Sequence, residues 1–321
     1  MENQETTKSG IKEMFIFGLV AIVLLAVIAS WCLEVRAVRH ESKNPAVIKM
    51  AAILRIPAVK VNDGKVLYSD YVRDLNTLNK FYESAPAESK PTSEQISDQA
   101  IARLITNVLV QDLSKKYQVS VNQEDVDKMR TQITSQFENE SAMLAELKSK
   151  YGWTFDQYVD FVVKPLLLEQ KVAAVFASST DDASLKYEVP EIRASHILFS
   201  VADEKEDAKI KAKAESVLKR IKAGEDFAKL AKEFGSDGTK EKGGDLGWFG
   251  KGQMVQEFED AVFALTPGQL GDKLVKTQFG YHIVRLTDKR MVRDFNLFMQ
   301  DQITNAPMKF LVPIHNPFLS K

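Results

Sequence analysis

The sequence predicts an α+β protein: an N-terminal transmembrane helix, an all-helical region, then an antiparallel sheet covered by helices. Three observations predict it. Met14–Leu33 (MFIFGLVAIVLLAVIASWCL) runs 20 residues without a charge, the length a helix needs to cross about 30 Å of hydrocarbon. Over 51–188 apolar residues recur mainly at helical spacing, and over 189–290 short alternating runs interleave with three one-sided stripes. Such stripes need a common apolar surface, which a sheet supplies.

Composition bounds the function. The chain has 321 residues, 45% hydrophobic and 27% charged, enough for about two domains with sizeable cores. Lys plus Arg (43) nearly balance Asp plus Glu (44), for a net charge of -1, so nothing directs the protein to nucleic acid, and no such partner is expected. One cysteine, Cys32, excludes an internal disulfide framework and a Cys-based zinc site. Trp31 precedes it where lipid attachment would want a small residue. For Met14–Leu33 the alternatives are a cleaved signal peptide, whose apolar core is usually about 7–15 residues, and a buried core helix. Lys8 and Lys12 precede the run, and Arg36, Arg39 and Lys43 follow it; these flanks do not decide orientation.

Taken in order, Arg55–Val72 alternates around Asn62-Asp63-Gly64, a hairpin signal that opens the soluble part. Ile96, Ala100, Ile101, Leu104 and Val108 make a helical stripe, capped by Thr92 or Ser93. Residues 121–150 are highly charged with thinly spaced apolar residues, which predicts long, partly solvated helices rather than a compact core. Thr154-Phe-Asp-Gln157 has capping-box form, and Pro165 should kink the helix that follows.

The polar stretch 178–190 ends in proline and marks a boundary. Glu191–Val201 alternates as a strand, and Asp203-x-x-Glu206 has capping-box form before a helix carrying Ala214, Val217, Leu218 and Ile221. Further stripes are Phe227, Leu230, Ala231, Phe234 and Phe258, Ala261, Val262, Leu265. Strands Lys273–Thr277 and Gly280–Thr287 complete a β-α-α-β-α-β-β order. The tail 291–321, with Phe295, Phe298, Phe310 and Phe318, is expected to pack rather than float.

The segment Ile192–Lys289 resembles the parvulin-type peptidyl-prolyl cis/trans isomerases. The motifs that carry it are Ser195-His-Ile-Leu198, Gly243-Gly-Asp-Leu-Gly247 with Trp248-Phe249, Gly252-Gln-Met254, Phe258-Glu-Asp-Ala261 and Thr277-Gln-Phe-Gly-Tyr-His-Ile283, in that order. The resemblance implies a parvulin (FKBP-like) sheet, no cofactor, and proline-containing unfolded or nascent polypeptides as substrates. The part before it is similar, more loosely, to the helical chaperone domain of foldases of the SurA and PrsA type, which act on exported chains outside the cytoplasmic membrane. That likeness implies a cytoplasmic segment 1–13, an anchor 14–33 in the lipid bilayer, a chaperone domain 51–188, a catalytic domain 189–290 and a tail 291–321, with the soluble part extracytoplasmic.

Four histidines exist: His40, His196, His282 and His315. Alternation along a strand puts His196 on a face with Leu198 and Ser200 and Ser195 on the other, so Ser195 and His196 cannot be a nucleophile-base pair. Each histidine alone reads as a structural one; in the family the two His strands are antiparallel neighbours and the imidazoles sit side by side, and within this motif order the resemblance favours that reading. The resemblance places Asp237 beside the pair, against a plain turn residue, and lets Thr277 bond the pair, against a plain strand threonine. Leu246, Met254 and Phe258 match the proline-ring pocket, with Phe279 lining it where some relatives carry a hydroxyl; singly, each reads as core. The glycine-rich turn brings backbone near substrate, while Asp245 and Gln253 read as structural. After His196 comes acidic 203–207 rather than an arginine cluster, so no preference for phosphorylated Ser/Thr-Pro is expected.

Two rivals stand beside the isomerase. One is a holdase whose parvulin domain has little turnover. The other is a metal site of His196, His282 and Asp237, against which no metal is the expectation.

Overall fold

The computed structural model describes residues 29–83, 85–179 and 181–319. Most of the predicted anchor lies outside them; residues 29–39 are helical, and among the described residues no helix is long and apolar enough to cross a membrane. The chain forms two compact units, one from the described residues up to Phe176 together with those from Phe298, the other Ala177–Leu297.

The first unit opens with α1 (Pro45–Ile53) and the hairpin of β1 (Pro57–Val61) and β2 (Gly64–Leu67). Asn62 turns the corner at φ 50°, a left-handed conformation that Asn tolerates better than most residues. Four helices follow: α2 (Tyr68–Glu83), α3 (Ser93–Lys116), α4 (Gln123–Thr134) and α5 (Glu140–Tyr151). Thr92 caps α3 through a full capping box with Gln95, and Ile96, Ala100, Ile101 and Leu104 are buried along its stripe.

Two expectations are corrected here. Residues 121–150 are not loosely solvated: Val126, Met143 and Leu147 from α4 and α5 meet Phe155, Val159 and Val163 in one buried cluster. Each helix brings few apolar residues, but three helices aim them at one point. At Pro165 the chain passes from α6 (Phe155–Tyr158) through a π turn, Val159–Val163, into α7 (Lys164–Ser178). Proline lacks the N–H that would bond Phe161 O four residues back. Arg103 takes that carbonyl instead, at 2.9 Å.

The tail does not form a segment of its own. Met291–Arg293 finish a strand, α11 (Phe295–Asn305) follows, and β7 (Met308–Phe310) pairs antiparallel with β1. The sheet order is β2-β1-β7, so the helical region carries a three-stranded sheet and is not all-helical. Where the chain leaves and re-enters this unit, the rings of Phe176 and Phe298 stack at 4.4 Å.

In the second unit β3 (Glu188–Ser200), β4 (Asp245–Gly250), β5 (Val275–Thr277) and β6 (Gly280–Arg293) form an antiparallel sheet of order β4-β3-β6-β5. The strand expected to end at Thr287 continues to Arg293, because β3 and β6 pair from Ser200↔Gly280 to Glu188↔Arg293. Asp203 caps a single 3₁₀ turn, Glu204–Glu206, through Lys205 N; α8 (Asp207–Lys222) starts after it without a side-chain cap, so the predicted capping box does not form.

Alternation sorts the strands' residues. Ile197, Phe199, Tyr281 and Ile283 face α8 and α9 (Phe227–Phe234), burying Val217, Leu218, Phe227 and Leu230. Ile192, Ala194, Val284 and Leu286 face α10 (Gln256–Phe263), burying Phe258 and Val262. Even-numbered positions at 196 and 282 therefore open toward α10, and the site is built on that face.

Candidate active site

His196 lies opposite Val284 and His282 opposite Leu198 in the β3–β6 register, so the two histidines are diagonal neighbours within reach of one another. Their Nδ1 atoms are 3.1 Å apart and their ring centroids 5.3 Å. They are 6% and 4% exposed. Asp237 Oδ2 is 2.9 Å from His196 Nε2, and Thr277 Oγ1 is 2.8 Å from His282 Nε2.

These contacts set the direction of every proton in the row. A carboxylate only accepts, so His196 Nε2 carries the hydrogen given to Asp237. In the neutral ring Nδ1 is then bare and must accept from His282 Nδ1–H. That leaves His282 Nε2 bare, to accept from the Thr277 hydroxyl. Thr277 Oγ1 in turn accepts the Phe279 N–H at 3.1 Å, and Asp237 Oδ1 accepts from the Thr239 hydroxyl at 2.7 Å. The result is a one-way row: Phe279 N–H, Thr277, His282, His196, Asp237.

The electrostatics keep both rings neutral. Burial pushes His282 down to about 4, helped by neighbouring His196 and opposed by Asp237. Burial also lowers His196, against the charge and hydrogen bond of Asp237. At Asp237 desolvation works to raise the pKa, but the hydrogen bond from Thr239 and the charge and hydrogen bond of His196 outweigh it, and the net shift is downward. At neutral pH the row is two uncharged imidazoles ending on one carboxylate.

Local sequence explains the placement. Asp237 begins the 3₁₀ turn Gly238–Lys242 yet makes no side-chain cap bond there, which frees its carboxylate for His196. Gly244 at φ 82° passes so close to β3 that a Cβ on it would sit 2.2 Å from His196 O, while its own carbonyl accepts His196 N–H at 2.8 Å. The Gly243-Gly244 turn thus approaches the histidine strand, a contact that the reading of this turn as a backbone approach to substrate did not include. Asp245 binds Arg193 at 2.6 Å and Gly247 N at 3.1 Å.

The apolar side is centred on Phe258, 3% exposed. Its ring meets His196 edge-on at 5.7 Å and His282 at 5.3 Å. Leu246 and Met254 are partly buried against the same cluster. Phe279 differs: the residue is 52% exposed, and what it gives the row is its backbone N–H.

Sequence reasoning missed Thr239 and Glu259. Buried Glu259 accepts Gly252 N–H at 2.6 Å and ties down the turn that carries Met254. Its position directly after Phe258 was the available signal. Among the described residues the group close enough to share a metal ion is Glu94, Asp98 and His315, not His196, His282 and Asp237. Both nitrogens of His196 are already held, one by His282 and one by Asp237.

Residues 183–290 match the family model of the PPIC-type PPIase domain. With the paired imidazoles and the Phe258 face, this defines the second unit as a parvulin-type peptidyl-prolyl cis/trans isomerase. Over 263 residues the chain is 37% identical to foldase protein PrsA of Geobacillus sp. (strain WCH70), covering 78% of this chain and 82% of that one. Over 249 residues it is 36% identical to foldase protein PrsA of Bacillus subtilis (strain 168), covering 76% and 75%. The chain belongs to the PrsA foldase family.

Proposed function

We propose that the protein is an anchored foldase: Met14–Leu33 holds it in the membrane with residues 1–13 cytoplasmic. The soluble part then lies outside, where the helical unit holds unfolded exported chains and the parvulin unit rotates their X-Pro bonds. His196, His282, Asp237 and Thr277 form the polar frame; Leu246, Met254 and Phe258 receive the proline ring, with Phe279 at the rim. The observation that carries this reading is the Phe258 ring set against two neutral, mutually bonded imidazoles.

The chemistry needs no nucleophile. Rotation about an X-Pro bond is opposed by a barrier of about 18–20 kcal/mol that comes from amide resonance. Ten-thousand-fold acceleration requires lowering it by about 5.5 kcal/mol, at 1.36 kcal/mol per decade. The twisted amide has lost resonance and is less dipolar than the planar one. An apolar wall backed by uncharged rings disfavours the planar dipole more than the twisted form, which is differential binding of the transition state. A charged imidazolium would reverse that preference, and the depressed histidine pKa values support its absence.

A protease-coupled proline-peptide assay on the purified protein tests the reading. Acceleration is expected, and it should fall at least 100-fold when both histidines are replaced. No acceleration, or undiminished acceleration in the double variant, overturns it. For the anchor, the protein should sediment with membranes and be digested by protease added to the outside of intact cells; release by high salt alone overturns that part.

A further inference from the structure

We propose that a basic groove beside the anchor binds the phosphate headgroups of anionic phospholipids; this rests on the reading of Met14–Leu33 as a membrane segment. The groove, of about 750 Å³, lies within the first unit and is lined by the buried Val38 and Ile56, by Trp31, and by Arg39, Arg55, Lys60 and Lys65; Asp63 is its one acidic lining residue.

The charges are arranged at a cost. Lys60 on β1 lies directly opposite Lys65 on β2 and directly opposite Lys309 on β7. Three exposed lysines therefore stand in a row across the sheet, with neighbouring strands only about 4.8 Å apart. Like charges directly opposite each other destabilise a sheet. Among the described residues none of these lysines, nor Arg39 or Arg55, forms an ion pair, while Arg73, Arg103, Arg130 and Lys171 in the same unit each hold a carboxylate. A row of unpaired cations over an apolar floor is relieved by an anion with an apolar body attached.

Position selects a lipid over a free phosphate. The helix at 29–39 carries Trp31 and Leu33, 49% and 68% exposed, at the end of the apolar run. Arg39 is six residues past Leu33, about 9 Å along a helix, and the polar layer on each side of a bilayer is about 5–7 Å deep. The Arg39 backbone thus stands about 2–4 Å beyond the headgroup layer, a gap that its long side chain spans by reaching back to the headgroups, where Trp and basic residues anchor proteins.

The test uses the full chain in lipid nanodiscs of phosphatidylcholine, with or without phosphatidylglycerol, and reads lysine acetylation rates by mass spectrometry. A cation near an anionic surface gains roughly fivefold in occupancy. Lys60, Lys65 and Lys309 should therefore react at least fivefold more slowly with phosphatidylglycerol, and recover in high salt, while Lys232 and Lys240 do not change. In a Lys60→Gln, Lys65→Gln double variant, confined to exposed positions, Lys309 should lose its lipid-dependent protection. Equal rates in the two kinds of disc overturn the proposal, as does equal slowing by inorganic phosphate in phosphatidylcholine discs. A chain that does not enter the discs overturns the anchor reading first, and the headgroup site with it.

Discussion

Replacing Thr277 by Val isolates one link of the proton row. The side chain keeps its volume and loses its hydroxyl, so no cavity opens. Thr277 is 5% exposed and His282 4%, and the bond removed, Oγ1 to Nε2, is 2.8 Å long. His282 Nε2 is then a buried acceptor without a donor. Switching tautomer does not rescue it: a hydrogen on Nε2 leaves Nδ1 bare, facing the bare Nδ1 of His196, whose own hydrogen Asp237 holds on Nε2. The penalty is that of one unsatisfied buried polar group, about 1–3 kcal/mol, or roughly 5- to 150-fold in the unfolding equilibrium. The Phe279 N–H sits beside a half-exposed ring and can turn to water, so it adds little. Urea titration at pH 7.5, followed through the amide resonances of β3 and β6, measures the loss, and two-bond ¹H–¹⁵N spectra of the wild type read the tautomers directly. A loss below about 0.5 kcal/mol, or a wild-type His282 carrying its hydrogen on Nε2, would falsify the one-way row.

Three further outcomes follow from the same geometry. His282 is held near 4 in the folded state against about 6.5 unfolded, so between those values the unfolded chain binds the proton that the folded one refuses. Stability of the parvulin unit should fall as pH drops from about 6.5 to 4, by up to about 3 kcal/mol; urea midpoints at pH 7, 5.5 and 4.5 check this, and a flat profile refutes it. Phe258→Ala removes the ring that touches both imidazoles, which should cost about 3–5 kcal/mol of stability and lower kcat/KM on proline peptides at least tenfold at a temperature where the variant stays folded. Ser195→Ala alters the opposite sheet face, so kcat/KM should stay within about twofold; a loss of several decades would reinstate a serine nucleophile.

Much of the site was legible in one dimension because strand parity is a local property. Counting by twos from Leu198 puts His196 on one face and Ser195 on the other. The capping residues Thr92 and Thr154 were equally readable, since each cap bonds a backbone N–H three residues away. Phe279 and Gly244 were not. Both were read toward a bound substrate; what the sequence did not show is the backbone N–H that Phe279 gives Thr277 and the close approach of Gly244 to the backbone of His196. Such uses depend on which strand passes beside which turn, and composition carries no trace of that.

Periodicity and motif order were enough to establish the class of fold and the two strands bearing the histidines. They were enough because each depends on contacts between residues a few positions apart. Folding alone settled the direction of the proton row, the carboxylate of Glu259 under the Met254 turn, and the return of residues 308–310 to a strand begun at Pro57. The links that decide them run from seven positions, Glu259 to Gly252, through eighty-six, His196 to His282, to about two hundred and fifty across β1 and β7, and only packing reveals which buried donor has an acceptor and which sheet edge has a partner.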